Sequence, residues 1–346
     1  MKAWSRRRFM QYLGLAAGAP RLRAAPRQLT IATWPNYHDP DNFRRFEDRH
    51  QIAVKVREFG SNEAMLAALL SGRSGFDIVV ATNYTIASYV ALNLLRPLPA
   101  SLQPGLAEHE PRFLADIEVN GRAWGMPKNW GTTGYVYDSS ALAAEPTSWR
   151  EFWDLARTAA SGRATVHDYQ LTAIGNALKY YGYSFNSIAT SELAQAEALL
   201  MDTRPHLQAI SSHAVTEVQR GALLAMAWAA DAVLLQRQRP TIRYVIGREG
   251  GEIWCDYYTV CAESSQPELA WELVAFLNQT DNNLREFTAH GAAPTHLPTL
   301  ARLPRDVREN PVLFPPPEQL ANLEFGSSET LMDSLRAEIL ARFSGH

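Results

Sequence analysis

Cysteine is almost missing from this chain of 346 residues: there are two, Cys255 and Cys261. They lie six positions apart in what reads as one strand, and an extended chain of that length spans about 20 Å, beyond the reach of a disulfide. Both are expected to be small, buried apolar residues. No grouping of histidine, cysteine and carboxylate has metal-ligand spacing, so neither a metal nor a cofactor is expected. Apolar runs of about eighteen residues are lacking, so no membrane-spanning segment is expected in the mature chain. Motifs of covalent chemistry are missing too: no Gly-x-Gly-x-x-Gly follows a strand, and there is no Gly-x-Ser-x-Gly elbow. In "VHDY", His167 and Asp168 are adjacent, but neighbours on a strand face opposite sides and make no dyad. An enzyme is therefore not expected.

What the chain does hold is 46% hydrophobic residues with 20 glycines and 20 prolines, enough for packed cores in two lobes of ordinary size. Its formal charge is −3. The first residues stand apart. "SRRRFMQYLGLAAGA" sets Arg6, Arg7 and Arg8 before a short apolar segment, Phe9 to Ala19, in the order of an export signal. Ser5 to Met10 resembles the twin-arginine consensus, and a signal peptide of that type is expected over residues 1–26, giving a periplasmic protein. Removal of the first 25 residues takes away Lys2, Arg6, Arg7, Arg8, Arg21 and Arg23 and no acid, carrying the formal charge from −3 to −9. An acidic exported protein favours cationic partners and disfavours nucleic acid.

From Leu29 onward, strand and helix alternate with short connections, which predicts the α/β class with a largely parallel sheet covered on both faces. "LTIATW", "IAVKVREF" and "FDIVVATN" read as strands. Between them lie helical stretches, one opened by Ser61 as cap and closed by Gly72. A second series holds "TSWREFWDLA", where Ser148 and Glu151 form a capping box and Trp149, Phe152, Trp153 and Ala156 share one helical face. "RATVHDY", "LLAMAW", "IRYVIG" and "EIWCDYYTV" read as further strands. Pro267 suits a first helical position. "SETLMDSLRAEILARF" reads as one terminal helix, and "PVLFPPPEQ" as a surface connection.

Ligands of open α/β sheets sit beyond the carboxyl ends of the strands, and the residues there share a character. Trp34 and Tyr37 follow the first strand, Thr82 and Tyr84 follow the third, Trp228 ends "LLAMAW", and Trp254 accompanies Asp256 within "GGEIWCDYY". Any single tryptophan is more often a core residue. Their recurrence at strand ends, with one carboxylate, matches what an alkylammonium needs: π-faces for the charge and the methylenes, and an acceptor for N–H.

At these residues the chain resembles the spermidine/putrescine-binding periplasmic proteins of ABC importers. "TWPNY", "GSNEAM", "FDIVVATNY", "WGTTGYVYD", "TSWREFW", "LAMAW" and "GGEIWCDYY" follow in that family's order along nearly the whole mature chain. The resemblance implies a type II periplasmic binding protein fold, two α/β lobes with a hinged cleft, and a ligand handed to a membrane permease. It carries Trp34, Tyr37, Tyr84, Trp228 and Trp254 onto an aromatic box, Thr82 onto an amine-binding hydroxyl and Asp256 onto an amine-binding carboxylate.

Departures accompany it. Asn36 stands where the family has an acid, and a second family glutamate falls on Thr172, with Asp168 the nearest acid upstream. A family glutamine corresponds to Glu324, and Lys128 in "MPKNWG" replaces an aromatic. A lysine facing the cleft would pair with a ligand carboxylate and favour an ω-amino acid; facing solvent, it would carry no information. A sugar or another neutral solute also uses aromatic platforms, and Asp256 tilts the choice to an amine. The expectation is a monomeric binding protein for a polyamine, or else an amino acid or other amine, with residues 27–130 and 257–300 in one lobe and 131–256 and 301–346 in the other.

Overall fold

The computed structural model describes residues 27–142 and 145–345, so the segment read as an export signal lies outside the described residues. The chain opens with β1 (Gln28–Thr33), β2 (Ala53–Glu58), β3 (Ile78–Thr82) and β4 (Leu95–Arg96), followed by a separate hairpin of β5 (Glu118–Val119) and β6 (Arg122–Ala123). The thirteen-residue β7 (Met126–Asp138) then leads to β8 (Ala164–Val166), β9 (Leu207–Ile210), β10 (Leu224–Trp228) and β11 (Ile242–Val245). A second long strand, β12 (Gly251–Cys261), precedes β13 (Ala293–Pro294) and β14 (Leu323–Phe325).

Apart from the hairpin, these strands form one sheet whose main path runs β2-β1-β3-β12-β7-β10-β8-β9. Pairing is parallel in both flanks, β1 with β2 and β3, and β8 with β9 and β10. It is antiparallel where β7 meets β10, β11, β12 and β13, and where β12 meets β3. The largely parallel sheet expected from the sequence is therefore mixed. Its cause is that both long strands serve two halves of the molecule: β7 pairs with β12 and β13 early in its course and with β10 and β11 near its end.

Each half has its own cores. In β3, Ile78 and Val80 point to one face, with Leu29, Phe46, Tyr258 and Trp271, while Val79 and Ala81 point to the other, with Met65, Tyr89 and Tyr257. That is why the strand reads as an unbroken apolar run: helices cover both faces. In the second half Trp149, Phe152, Trp153 and Ala156 are fully buried against Tyr135, Leu224 and Met226, as their helical spacing predicts. The cap is formed as expected. Ser148 Oγ accepts from the Glu151 amide at 3.0 Å, and the Glu151 carboxylate accepts from the Thr147 amide at 2.7 Å.

Two expectations change. The terminal helix is broken into Ser328–Met332 and Ser334–Ser344, because Asp333 takes an extended conformation and accepts from the Arg336 amide at 2.7 Å, acting as a cap in what looked like a helix interior. The Pro-rich connection is also less superficial than its composition implies. Leu313 is buried with Ala229 and Val233, and Phe314 lies against Trp130 with ring centroids 6.1 Å apart. Cys255 and Cys261 are both free and buried on β12.

Candidate functional site

Strand register alone lays out the floor of the site, because residues paired across a sheet share a face. Thr82, Asp256 and Asn129 form one row across β3, β12 and β7. Trp254 opposite Gly131 forms the next, and Glu252, Thr133 and Trp228 form a third across β12, β7 and β10. Residues 252, 254 and 256 alternate to the same side of β12. At Gly131 a Cβ would stand 2.5 Å from the Trp254 ring, so only glycine lets the indole lie flat on the sheet.

Asp256 is 4% exposed. Its Oδ2 accepts from Trp34 Nε1 at 3.2 Å, whereas Oδ1 has no hydrogen-bond partner. Burial pushes this carboxyl up to about 6, against the pull of the nearby Thr82 and Tyr37 hydroxyls and of the Lys128 charge. The Tyr37 hydroxyl donates to Asn129 Oδ1 at 2.7 Å. Trp254 is also buried, and its Nε1 has no partner.

The walls come from both halves. On one side stand Trp34 and Tyr37 in the turn after β1, with Asn36 beside them, exposed and in the left-handed region at φ 55°. Tyr84, in the helix Asn83–Ala91, accepts from Asn62 Nδ2 at 2.7 Å and lies against Leu171 and Gly326, where the halves touch. Opposite, His167, Tyr169 and Trp228 stack together, with ring centroids 5.1 to 6.4 Å apart. Burial lowers His167 to about 3, so it is neutral, and its Nδ1 lies 3.0 Å from Thr172 Oγ1. Asn83 Nδ2 donates to Gly326 O at 3.2 Å, tying the helix Asn83–Ala91 to the segment after β14.

The structure relocates three sequence-level candidates. Lys128 faces neither a ligand carboxylate nor solvent. β7 carries an irregularity here, with Asn129 and Pro127 opposite consecutive residues of β12, and the skipped Lys128 turns into the protein. It is 2% exposed, 3.7 Å from Glu286, 3.1 Å from His290 Nε2, and 4.2 Å from the Tyr37 ring centroid. Asp168 is exposed and accepts from Ser212 Oγ. Glu324 is held by its own neighbours, Lys179 at 2.5 Å, Ser184 Oγ and the Phe185 amide at 2.9 Å.

Four residues escaped the sequence reading. Tyr169 and His167 complete the second aromatic wall. Asp231, three residues beyond Trp228 in the first turn of the helix Ala229–Gln238, is raised to about 7 by burial. Glu252 is 2% exposed, accepts from Thr133 Oγ1, and is pushed up to about 7 by burial and by the charge of Asp256. Alternation along "GGEIWCDYY" was the available signal for Glu252. Among the described residues no group of three or more histidines, cysteines or carboxylates is placed to hold a metal, and no helix is long and apolar enough to cross a membrane.

Chemically, two buried acids set among aromatic side chains describe a receptor for a small cation with an apolar body. Known proteins agree with the architecture. The chain is 25% identical over 327 residues to a putrescine/agmatine-binding protein of Pseudomonas aeruginosa, covering 89% of each chain. It is 25% identical over 337 residues to a putrescine-binding periplasmic protein of Escherichia coli, covering 90% of each. A solved structure, a putative spermidine/putrescine ABC transporter from Listeria monocytogenes, superposes with a TM-score of 0.85 at 25% identity, over 91% of this chain and 98% of that one. Residues 43–313 match the sequence family as such, and on that match this chain belongs to the bacterial extracellular solute-binding proteins.

Proposed function

We propose that this protein captures an aliphatic polyamine in the cleft between its lobes and presents it to the permease of an ABC importer. One observation carries the reading: Asp256 is buried with one oxygen unpartnered, and Trp34, Tyr37 and Trp254 stand around it. A buried carboxylate in that condition costs several kcal/mol unless a cation joins it. An ammonium supplies the charge, and the rings cover its methylenes. The similarity to proteins named for putrescine and spermidine supports the same choice. With Lys128 held by Glu286, a zwitterionic ligand loses the anchor it needed.

In this reading residues 27–130 with 257–300 form one lobe and 131–256 with 301–346 the other. The chain is exported through the twin-arginine route, works in the periplasm and acts as a monomer. The test is titration calorimetry of the mature protein with putrescine and spermidine. Both should bind, and Asp256→Asn should weaken binding by about 2 to 5 kcal/mol. Unchanged affinity in that variant removes Asp256 from the site; binding of neutral sugars in place of amines removes the function.

A further inference from the structure

Six acids are almost wholly shut from solvent among the described residues, namely Asp77, Asp138, Glu217, Glu252, Asp256 and Glu286, whereas Glu63 and Asp231 are only partly covered. Four of them are accounted for. Glu286 pairs with Lys128, Asp138 with Arg239 and Glu217 with Arg220, while Asp77 accepts from the Thr30 amide at 2.9 Å and from Ser264 Oγ at 2.6 Å. Glu252 and Asp256 have no cation within 4 Å among the described residues, and their direct partners are Thr133 and Trp34. These two lie four residues apart on one face of β12, with Trp254 between them. At about 3.3 Å per residue their Cα atoms are roughly 13 Å apart.

We propose that Glu252 is a second cation anchor, so that the ligand is a chain with an ammonium at each end, lying along β12 over the Trp254 indole. This rests on the reading of the cleft as an amine site and specifies the charge and length of its ligand. The unpartnered Asp256 Oδ1 and Trp254 Nε1 mark the rest of the track independently of Glu252. Trp228, in the same row as Glu252, stacks with Tyr169 and gives the far end its own aromatic wall. The spacing sets an upper bound: terminal charges farther apart than about 13 Å overrun the strand segment that carries both acids.

The experiment is a calorimetric series of α,ω-diamines of rising length, with the monoamine of equal carbon number as the partner in each case. The unmodified mature protein should prefer the best diamine to its monoamine at least tenfold, about the value of one hydrogen bond to a charged group. Glu252→Gln should bring that ratio near one. Glu252→Asp keeps the charge on a shorter arm and should move the optimum to a diamine about one methylene longer; it carries the test if the glutamine variant fails to fold. An undiminished ratio in Glu252→Gln, or an unmoved optimum in Glu252→Asp, overturns the second anchor while amine binding stands. Failure of the unmodified protein to bind any amine overturns both.

Discussion

Ligand binding should be coupled to proton release, by an amount that follows from the two acids. Asp256 is raised to about 6 and Glu252 to about 7, mainly because burial disfavours their charged forms. An alkylammonium, which stays protonated below about pH 9, binds best when both are ionised. Each acid then weakens apparent affinity by one plus the ratio of its protonated to ionised forms. Between about pH 8 and about pH 5.5 that factor is roughly fourfold for Asp256 and thirtyfold for Glu252, about a hundredfold together. The neighbouring imidazoles stay out of this window, since burial holds His167 near 3 and burial with the Lys128 charge holds His290 well below its usual value. Asp231 does not, being raised to about 7, so the titration belongs in an Asp231→Asn background. Calorimetry with a diamine in two buffers of different ionisation heat reads both quantities. Near pH 7 roughly half a proton should leave per ligand bound. A fourfold decline would leave Asp256 acting alone; constant affinity with no proton exchange would refute the electrostatic account of the cleft.

The ligand-free protein should respond in the opposite sense. An acid whose folded pKa is raised costs stability in full above that pKa and nothing below its unfolded value. Glu252, moved from 4.5 to about 7, therefore costs about 3 kcal/mol above pH 7. Glu252→Gln should raise the melting temperature at about pH 8 and have little effect near pH 4; a lowered melting temperature at pH 8 would contradict it. Lys128→Met leaves Glu286 buried without its cation and should destabilise by about 3 to 5 kcal/mol in urea unfolding, a loss absent if the pair contributes nothing. Gly131→Ala drives a methyl into the Trp254 ring; it should cost at least tenfold in diamine affinity and shift tryptophan emission, and unchanged binding would take Trp254 off the floor.

Helical periodicity and capping residues made much of the scaffold legible: Ser61 accepts from the Ala64 amide, Ser148 caps its helix, and Pro267 begins another. What was not legible depends on pairings between distant residues. "MPKNWGTTGYVYD" gives no local sign that it forms one strand with partners in both halves, nor that its register skips Lys128 and buries that ammonium beside Glu286. Glu324 looked available because its partner, Lys179, is 145 positions away. Asp256 stood out as a charge inside an apolar run. Glu252 sits at the start of the same run, behind two glycines, where a carboxylate attracts no notice until the strand's alternation puts it in line with Trp254.

Because β7 and β12 each pair with strands of both halves, any opening between the halves must flex the strands themselves. The segment that would flex is the one bearing the three rows of floor residues. A guest would thus rest at the pivot, where displacement is smallest, while the aromatic walls swing through the larger arcs. Receptor chemistry and mechanical axis coincide here, so a substitution that stiffens or kinks either long strand near Gly131 should alter recognition and closure together.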